Sequence, residues 1–171
     1  ITKDELITFF KDQIKELGDA NGMTEEQAIA KLKLKYDGYH FSKQKNDIFN
    51  PFSILNCFDS MDFRDYWFAT GTPTYLMRLL ADNHVNINEL AGKEYPAAEF
   101  VDYKATKQKP LPMLYQSGYF TIKGYNQRRD TYLLDFPNEE VGSGMITALS
   151  SDYFGDSNSP STWLNDVSDS L

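Results

Sequence analysis

The stretch LPMLYQSGYFTIKGYNQRRDTYLLDFPNEEVGSGMITALSSDYF, residues Leu111 to Phe154, holds the clearest change of pattern in the chain. Its first six residues indicate a short helix that ends at Ser117-Gly118, because glycine is the usual helix stop. Two runs rich in aromatic and aliphatic residues follow, YFTIKGY and DTYLLDF, on either side of a polar turn, and they predict a β-hairpin. The segment Pro137 to Glu140 then favours the start of a last helix, with carboxylates in its first turn. Helix, hairpin and helix in this order give the outline of a winged-helix-like module.

The opening of the chain, ITKDELITFFKDQIKELG, has the signature of a capped amphipathic helix. Thr2 and Glu5 have the spacing of a capping box, and the apolar residues after them recur at intervals of three and four. Gly18 is the expected stop of this helix.

Further helix starts recur along the first half of the chain. Thr24 with Gln27 forms a second capping box, and the helix after it should end near Gly38. Asn50-Pro51 and Thr72-Pro73 each place a capping side chain before a proline, the preferred first residue of a helix. Aromatic and polar residues alternate after Gly38, which suits a short strand or an extended connection. We therefore expect a mainly α protein with a small β-hairpin, an α+β fold.

The composition limits the class of protein. The chain has 171 residues, 41% of them hydrophobic, which suffices for one domain of ordinary size or two small ones. Its apolar runs are far shorter than the roughly 20 residues that span a bilayer, so we expect a soluble, cytoplasmic protein with no membrane partner. No signal-peptide pattern opens the chain, and Ile1 in place of methionine indicates a processed chain or an excised fragment.

The sequence gives little indication of a metal site, a disulfide bond or a nucleic-acid-binding surface. Cys57 is the single cysteine, and its apolar surroundings favour a buried thiol. His40 and His84 are the only histidines and stand far apart, so we expect no metal site. The net charge of -8 opposes nonspecific binding to a phosphate backbone. Arg128 and Arg129 at the hairpin tip are the candidate nucleic-acid contacts, and the alternative is a solvated turn.

No motif in the chain predicts a catalytic residue. The pattern G-x-x-x-x-G-K-[ST] is absent, as are G-x-G-x-x-G and G-x-S-x-G. Asp102 and Lys104 have the D-x-K spacing of metal-dependent nucleases, but about two such pairs are expected by chance in a chain of this composition. Glu139 and Glu140 face different directions on a helix, so a helix cap explains them better than an acid and base pair.

Three separated segments together resemble a known family. They are KLKYDGYHFS (residues 33–42), IFNPFSILNCF with YWFATGTPTYL, and LPMLYQSGYFTIKGY with YLLDFPNEEV. In this order they look like the predicted AAA-ATPase-like proteins, abundant in gut Bacteroidetes and some other anaerobes, and the likeness covers residues 2–154. That family has a P-loop ATPase, then helical regions, then a PD-(D/E)XK nuclease-like domain. The resemblance implies a phosphate-binding loop upstream of residue 1 and a nuclease motif downstream of residue 171.

The resemblance also implies ATP and Mg for the full-length protein and a lid role for Gly71, Thr72, Pro73 and Leu76. In related P-loop ATPases a Gly-x-Pro turn at a helix start packs beside the adenine of the nucleotide. The residues suit that role, because glycine lets the backbone come close, threonine can cap, and proline offers a rigid apolar face. The alternative is an ordinary capped turn between two helices.

The resemblance divides the chain into three parts. Residues 1–105 form a helical lid-like region, residues 106–155 a winged-helix-like module, and residues 156–171 a linker with the start of a truncated downstream helix. We expect a noncatalytic coupling region whose partners are the upstream ATPase core and the downstream nuclease-like domain of the same chain. Two alternatives stay open: the hairpin module contacts nucleic acid, or the chain itself holds a nuclease-like centre at Asp102 and Lys104.

Overall fold

The chain folds into nine α-helices, one 3-10 turn and a three-stranded sheet within the residues that the structure describes. The structure is a computed structural model, and it describes residues 1–40, 47–70, 74–82, 84–101 and 110–154. The helices are α1 (Lys3–Phe9), α2 (Lys11–Asn21), α3 (Glu25–Tyr36), α4 (Pro51–Ser60), α5 (Tyr66–Ala69), α6 (Thr74–Asp82), α7 (Ile87–Leu90), α8 (Leu111–Gln116) and α9 (Glu139–Phe154). The strands are β1 (Lys93–Pro96), β2 (Thr121–Asn126) and β3 (Thr131–Asp135), and the 3-10 turn is Ala97–Glu99.

Both predicted capping boxes are confirmed. The backbone N–H of Glu5 donates to the Thr2 hydroxyl at 3.3 Å, and the Thr2 N–H donates to the Glu5 carboxylate at 2.8 Å. Thr24 and Gln27 exchange the same pair of hydrogen bonds at the start of α3. α3 ends two residues before Gly38, whose φ of 94° confirms the predicted helix stop.

The first predicted helix is broken in two by Phe10. This residue has φ -122° and ψ 28°, so it leaves the helical conformation between α1 and α2. Its ring stacks on Phe58 of α4, with the two ring centroids 5.4 Å apart. Burial of an aromatic ring against another helix therefore outweighs the continuous helical pattern that the sequence shows.

The predicted stop at Gly18 is wrong, because α2 continues through it. A Cβ at Gly18 would lie 2.8 Å from the carbonyl oxygen of Met23, so glycine serves here to let the returning chain pack close. Gly22, with φ 66°, ends the helix instead. The predicted start at Asn50-Pro51 is confirmed, since the Asn50 side chain accepts from the backbone N–H groups of Phe52 and Ser53.

The sheet is antiparallel with the strand order β1-β3-β2. β2 and β3 form the predicted hairpin, which is thereby confirmed, and β1 adds an edge strand that the sequence did not indicate. β1 reads KEYP, which is too short and polar to stand out, and its final Pro96 is tolerated because the strand lies at an edge. The expected α+β class is confirmed. The predicted division after residue 105 stays a prediction, and the sheet takes one strand from before that point.

Two hydrophobic clusters form the interior. We call them the helical core and the sheet core. The helical core contains Leu6, Ile14, Leu17, Ala28, Leu32, Tyr36, Phe49, Ile54, Cys57 and Phe58. The sheet core contains Tyr39, Leu76, Met77, Leu80, Ile87, Phe100, Leu111, Leu114, Tyr119, Phe120, Ile122, Leu134, Val141, Met145 and Leu149.

Cys57 lies in the helical core with no exposed surface, which confirms the expected buried thiol. Burial raises the pKa of this thiol to about 12. In the ranges described above, no helix is long and apolar enough to cross a membrane.

Candidate functional site

Polar side chains are buried where the helical core meets the sheet core. Among the described residues they are Asp37, His40, Ser53, Thr121 and Glu140, and we call this set the polar seam. Buried polar groups are costly unless they find hydrogen-bond partners. In the seam most partners come from elements that are distant in sequence. The hydrogen bond between Ser53 and Glu140 joins α4 of the helical core to α9 of the sheet core.

Glu140, in the first turn of α9, joins three helices. The Ser53 hydroxyl on α4 donates to one carboxylate oxygen at 2.7 Å, and the backbone N–H of Trp67 on α5 donates to the other at 2.7 Å. The side chain has no exposed surface. Burial raises the pKa of Glu140, and the two hydrogen bonds only partly oppose that rise.

This role of Glu140 differs from the helix cap that the sequence indicated. The N-cap hydrogen bond of α9 comes from Asn138, whose side-chain oxygen accepts from the N–H of Val141 at 3.1 Å. Glu140 points inward instead. Sequence reasoning missed it because Ser53 and Trp67 lie 87 and 73 positions away, and no local pattern marks such a contact.

Glu140→Gln is expected to gain stability relative to the parent chain as the pH rises. The folded chain raises the pKa of Glu140, so it holds that proton more tightly than the unfolded chain does. The parent therefore loses free energy of unfolding as the pH rises above 4.5, the ordinary value for this group, whereas glutamine stays neutral.

Urea denaturation at about pH 5 and about pH 7.5 measures this effect. The free energy of unfolding of Glu140→Gln, minus that of the parent, should be larger at the higher pH. Glu139→Gln, the exposed neighbour, is the control and should show no such change. A difference for Glu140→Gln that is equal at both pH values would contradict the argument.

A cleft lies beside the polar seam, between the last turns of α3 and the residues that lead from β3 into α9. We call it the Asp37 cleft. Its volume is about 570 Å³. The lining residues that matter below are Lys33, Leu34, Asp37, Lys123, Phe136 and Glu139.

Asp37 is 2% exposed, and neither oxygen of its carboxyl group has a side-chain donor within the described part of the chain. The backbone N–H of Gly38 and the charges of Lys33 and His40 favour its ionised form but do not outweigh burial. Burial raises the pKa of this group. Its backbone carbonyl accepts from the Asn138 side chain at 2.9 Å, which ties the end of α3 to the cap of α9. A buried carboxyl without a partner is uncommon in native proteins and is costly.

Asp47, at the edge of the same cleft, is held from two sides. Lys33 Nζ lies 3.2 Å from one carboxylate oxygen, and His40 Nε2 lies 2.5 Å from the other. Burial opposes the ionised form, but these hydrogen bonds outweigh it and hold the pKa of Asp47 below its usual value. Lys123 Nζ donates to the carbonyl oxygen of Pro137 at 2.6 Å.

A second cavity, of about 360 Å³, lies next to Trp67. Its walls include Tyr39, Phe49, Asn50 and Gln116. The Tyr39 hydroxyl is buried, and burial raises the pKa of Tyr39 to about 12 although the side chains of Asn50 and Asn138 oppose that rise. Because Trp67 is also the residue held by Glu140, this cavity borders the polar seam.

The predicted lid residues are only partly described. Gly71, Thr72 and Pro73 lie outside the described residues. Leu76 lies on α6, and its side chain is fully buried in the sheet core. Asp102 and Lys104 also lie outside the described residues.

Arg128 and Arg129 lie in the exposed turn between β2 and β3, as predicted. Arg129 Nη1 is 3.7 Å from a carboxylate oxygen of Glu94 on β1. The backbone N–H groups of both arginines donate to the Asn126 side chain. The positive charge at the tip therefore has an acidic neighbour on the same sheet.

Comparisons with known proteins give little further guidance. No protein-family model matches the chain, and no solved structure does. The chain is 32% identical over 121 residues to "Uncharacterized protein in vnfD 5'region" of Azotobacter chroococcum mcd 1. The matched residues make up 69% of this chain and 23% of that protein, so the chain spans less than a quarter of this relative. Within the described ranges, no group of three or more His, Cys, Asp or Glu side chains could hold a metal ion.

Proposed function

We propose that this chain is a noncatalytic coupling region of a cytoplasmic AAA-ATPase-like protein. In the full-length protein it would link the nucleotide state of an upstream ATPase core, with its ATP and Mg, to a downstream nuclease-like effector. The observation that carries the proposal is the buried contact of Glu140 with Ser53 and Trp67, which joins the helical core, α5 and α9 at one point.

Because this contact consists of hydrogen bonds, it supports a role in which the two cores move relative to each other. A continuous apolar core resists displacement because interiors are close-packed, whereas a few directed hydrogen bonds can be exchanged as two units rotate. Here Ser53 of α4, in the helical core, meets Glu140 of α9 through a hydrogen bond. Lys35 Nζ of α3 also lies 2.7 Å from Asp65, the residue before α5. An ion pair therefore also connects the start of α5 to the helical core.

The position of α5 supports a link to the predicted lid. Trp67 is four residues before Gly71, and α6 begins directly after Pro73. A shift of residues 71–73 would therefore pull on α5 at one end and on α6 at the other. Both helices pack against α9, which leads toward the C-terminus.

The nucleic-acid alternative has less support. α8 and α9, the helices on either side of the hairpin, contain no lysine or arginine. The first turn of α9 carries two glutamates, and Arg129 faces Glu94. Binding to a phosphate backbone needs a basic surface, and this part of the chain does not provide one.

The longer protein allows a direct test. Glu140→Gln should weaken the dependence of effector activity on bound nucleotide, while the nucleotide dissociation constant stays near that of the parent. Pro73→Ala should instead weaken nucleotide binding itself, because the lid turn loses its rigid apolar face. Glu139→Gln, which changes an exposed carboxylate one residue away, is the control for both.

Nucleotide affinity is measured by calorimetry, and effector activity is measured as nucleic-acid cleavage with and without nucleotide. Full nucleotide dependence in Glu140→Gln would count against coupling through the seam. Unchanged affinity in Pro73→Ala would count against the lid assignment.

A further inference from the structure

The Asp37 cleft combines a buried acidic group with an apolar wall. Asp37, Phe136 and Pro137 all line it. Leu34 stands at the rim with 63% of its surface exposed. Large exposed aliphatic side chains next to a cleft favour contact with the apolar part of a ligand.

Asp37 forms no direct ion pair with the cations of the cleft that the structure describes, although the charges of Lys33 and His40 act favourably on it. Lys33 is directed at Asp47, and Lys123 at the carbonyl oxygen of Pro137. Asp47 receives hydrogen bonds from both Lys33 and His40. Asp37, in contrast, has no side-chain donor for either oxygen in the part of the chain that the structure describes. A ligand that fits this cleft therefore supplies hydrogen-bond donors and positive charge.

An anion fits poorly, because it would face the acidic side chains of Asp37, Asp47 and Glu139 in the same cleft. A guanidinium group fits better than an ammonium group for two reasons. Its planar fork can donate to both oxygens of one carboxylate, and both oxygens of Asp37 lack a side-chain donor in the described residues. Its flat face and the carbons next to it also pack on apolar side chains such as Phe136 and Leu34.

We propose that the Asp37 cleft binds a guanidinium group, with Asp37 as its paired acceptor. The group comes either from a free small molecule or from an arginine side chain of a protein segment. The Asp37 oxygens are closed off from solvent, so the ligand reaches them after rim side chains move. Lys33 and Leu34 are among the exposed side chains at that rim. This inference does not depend on the coupling function proposed above.

Two-dimensional NMR of the 171-residue chain tests the proposal. Agmatine represents a free guanidinium compound, an arginine-containing peptide represents a protein segment, and the same peptide with lysine is the matched ligand control. The backbone amide signals of Gly38 and Asn138 should shift and saturate with at least one guanidinium ligand. Binding of agmatine would identify a small-molecule source, and binding of the arginine peptide alone would identify a protein source.

Asp37→Asn keeps the shape of the side chain and removes its charge, so affinity for the guanidinium ligand should fall by about tenfold or more. Asp19→Asn on α2, an exposed carboxylate that does not line the cleft, is the control and should bind like the parent. The variant should fold, because it removes an unpaired buried charge. A second readout uses the parent: bound ligand should lower the pKa of Asp37, followed through its carboxyl carbon signal.

Several outcomes would overturn the proposal. They are the absence of shifts with both guanidinium ligands, equal affinity in Asp37→Asn, equal binding of the lysine peptide, and an Asp37 pKa that the ligand leaves unchanged.

Discussion

Gly38→Ala is expected to lower the free energy of unfolding by about 3 kcal/mol or more, because two penalties act at one position. Gly38 has φ 94°, where a side chain strains the backbone. A Cβ there would also lie 2.2 Å from the carbonyl oxygen of Pro137 and 2.9 Å from Lys123 Nζ. The carbonyl oxygen of Pro137 belongs to the backbone just before α9. The overlap is therefore relieved only if the two cores move apart.

Gly22→Ala is the matched control. Gly22 has φ 66°, but a Cβ there would meet nothing within 4 Å, so only the backbone strain applies. Its loss should be about 1 kcal/mol. Urea denaturation of both variants measures the two values side by side. Equal losses would mean that the contact between Gly38 and Pro137 is not as close as described here.

Gly144→Ala should lower the free energy of unfolding by about 2 kcal/mol. Alanine normally stabilises a helix interior relative to glycine, but here a Cβ would lie 2.4 Å from Cγ of Phe68 and 2.7 Å from both Cδ atoms. These atoms are at the base of the ring, so a small rotation cannot remove the overlap. Phe68 belongs to α5, and the substitution should therefore push α5 away from α9.

Gly142→Ala, two residues before Gly144, provides the comparison within the same helix. Its Cβ would meet the Phe136 ring at 3.7 Å, which is ordinary van der Waals contact. This variant should gain roughly 0.5–1 kcal/mol, because alanine reduces the entropy of the unfolded chain. Thermal denaturation followed by circular dichroism compares the pair. A gain in both variants would show that α5 does not lie on α9 at Gly144.

The features that could be predicted from the sequence depend on neighbouring residues. The capping boxes at Thr2 and Thr24 and the Asn50-Pro51 start are local patterns, and each is confirmed. The β2–β3 hairpin is local as well, since a short turn joins its two strands. Such elements carry their own signals because their hydrogen bonds close within a few residues.

The features that were missed depend on residues far apart in the chain. β1 pairs with β3 across about 40 positions, as in the pair of Lys93 with Leu134, and its four residues have no strand pattern of their own. Phe10 lies at the break in the first helix, and its ring stacks on Phe58, 48 positions away. Glu140 and Asp37 look like ordinary acidic residues until the fold buries them. The candidate sites are therefore products of tertiary packing.

The buried thiol of Cys57 gives the molecule a built-in probe of local opening. The helical core shields it completely, and its high pKa keeps the reactive thiolate scarce in the folded state. An alkylating reagent should therefore modify it only during transient exposure. As the single cysteine of the chain, it reports the opening of the helical core alone. Its labelling rate gives the free energy of opening of the helical core. A value below the global free energy of unfolding would mean that this core opens while the other stays intact.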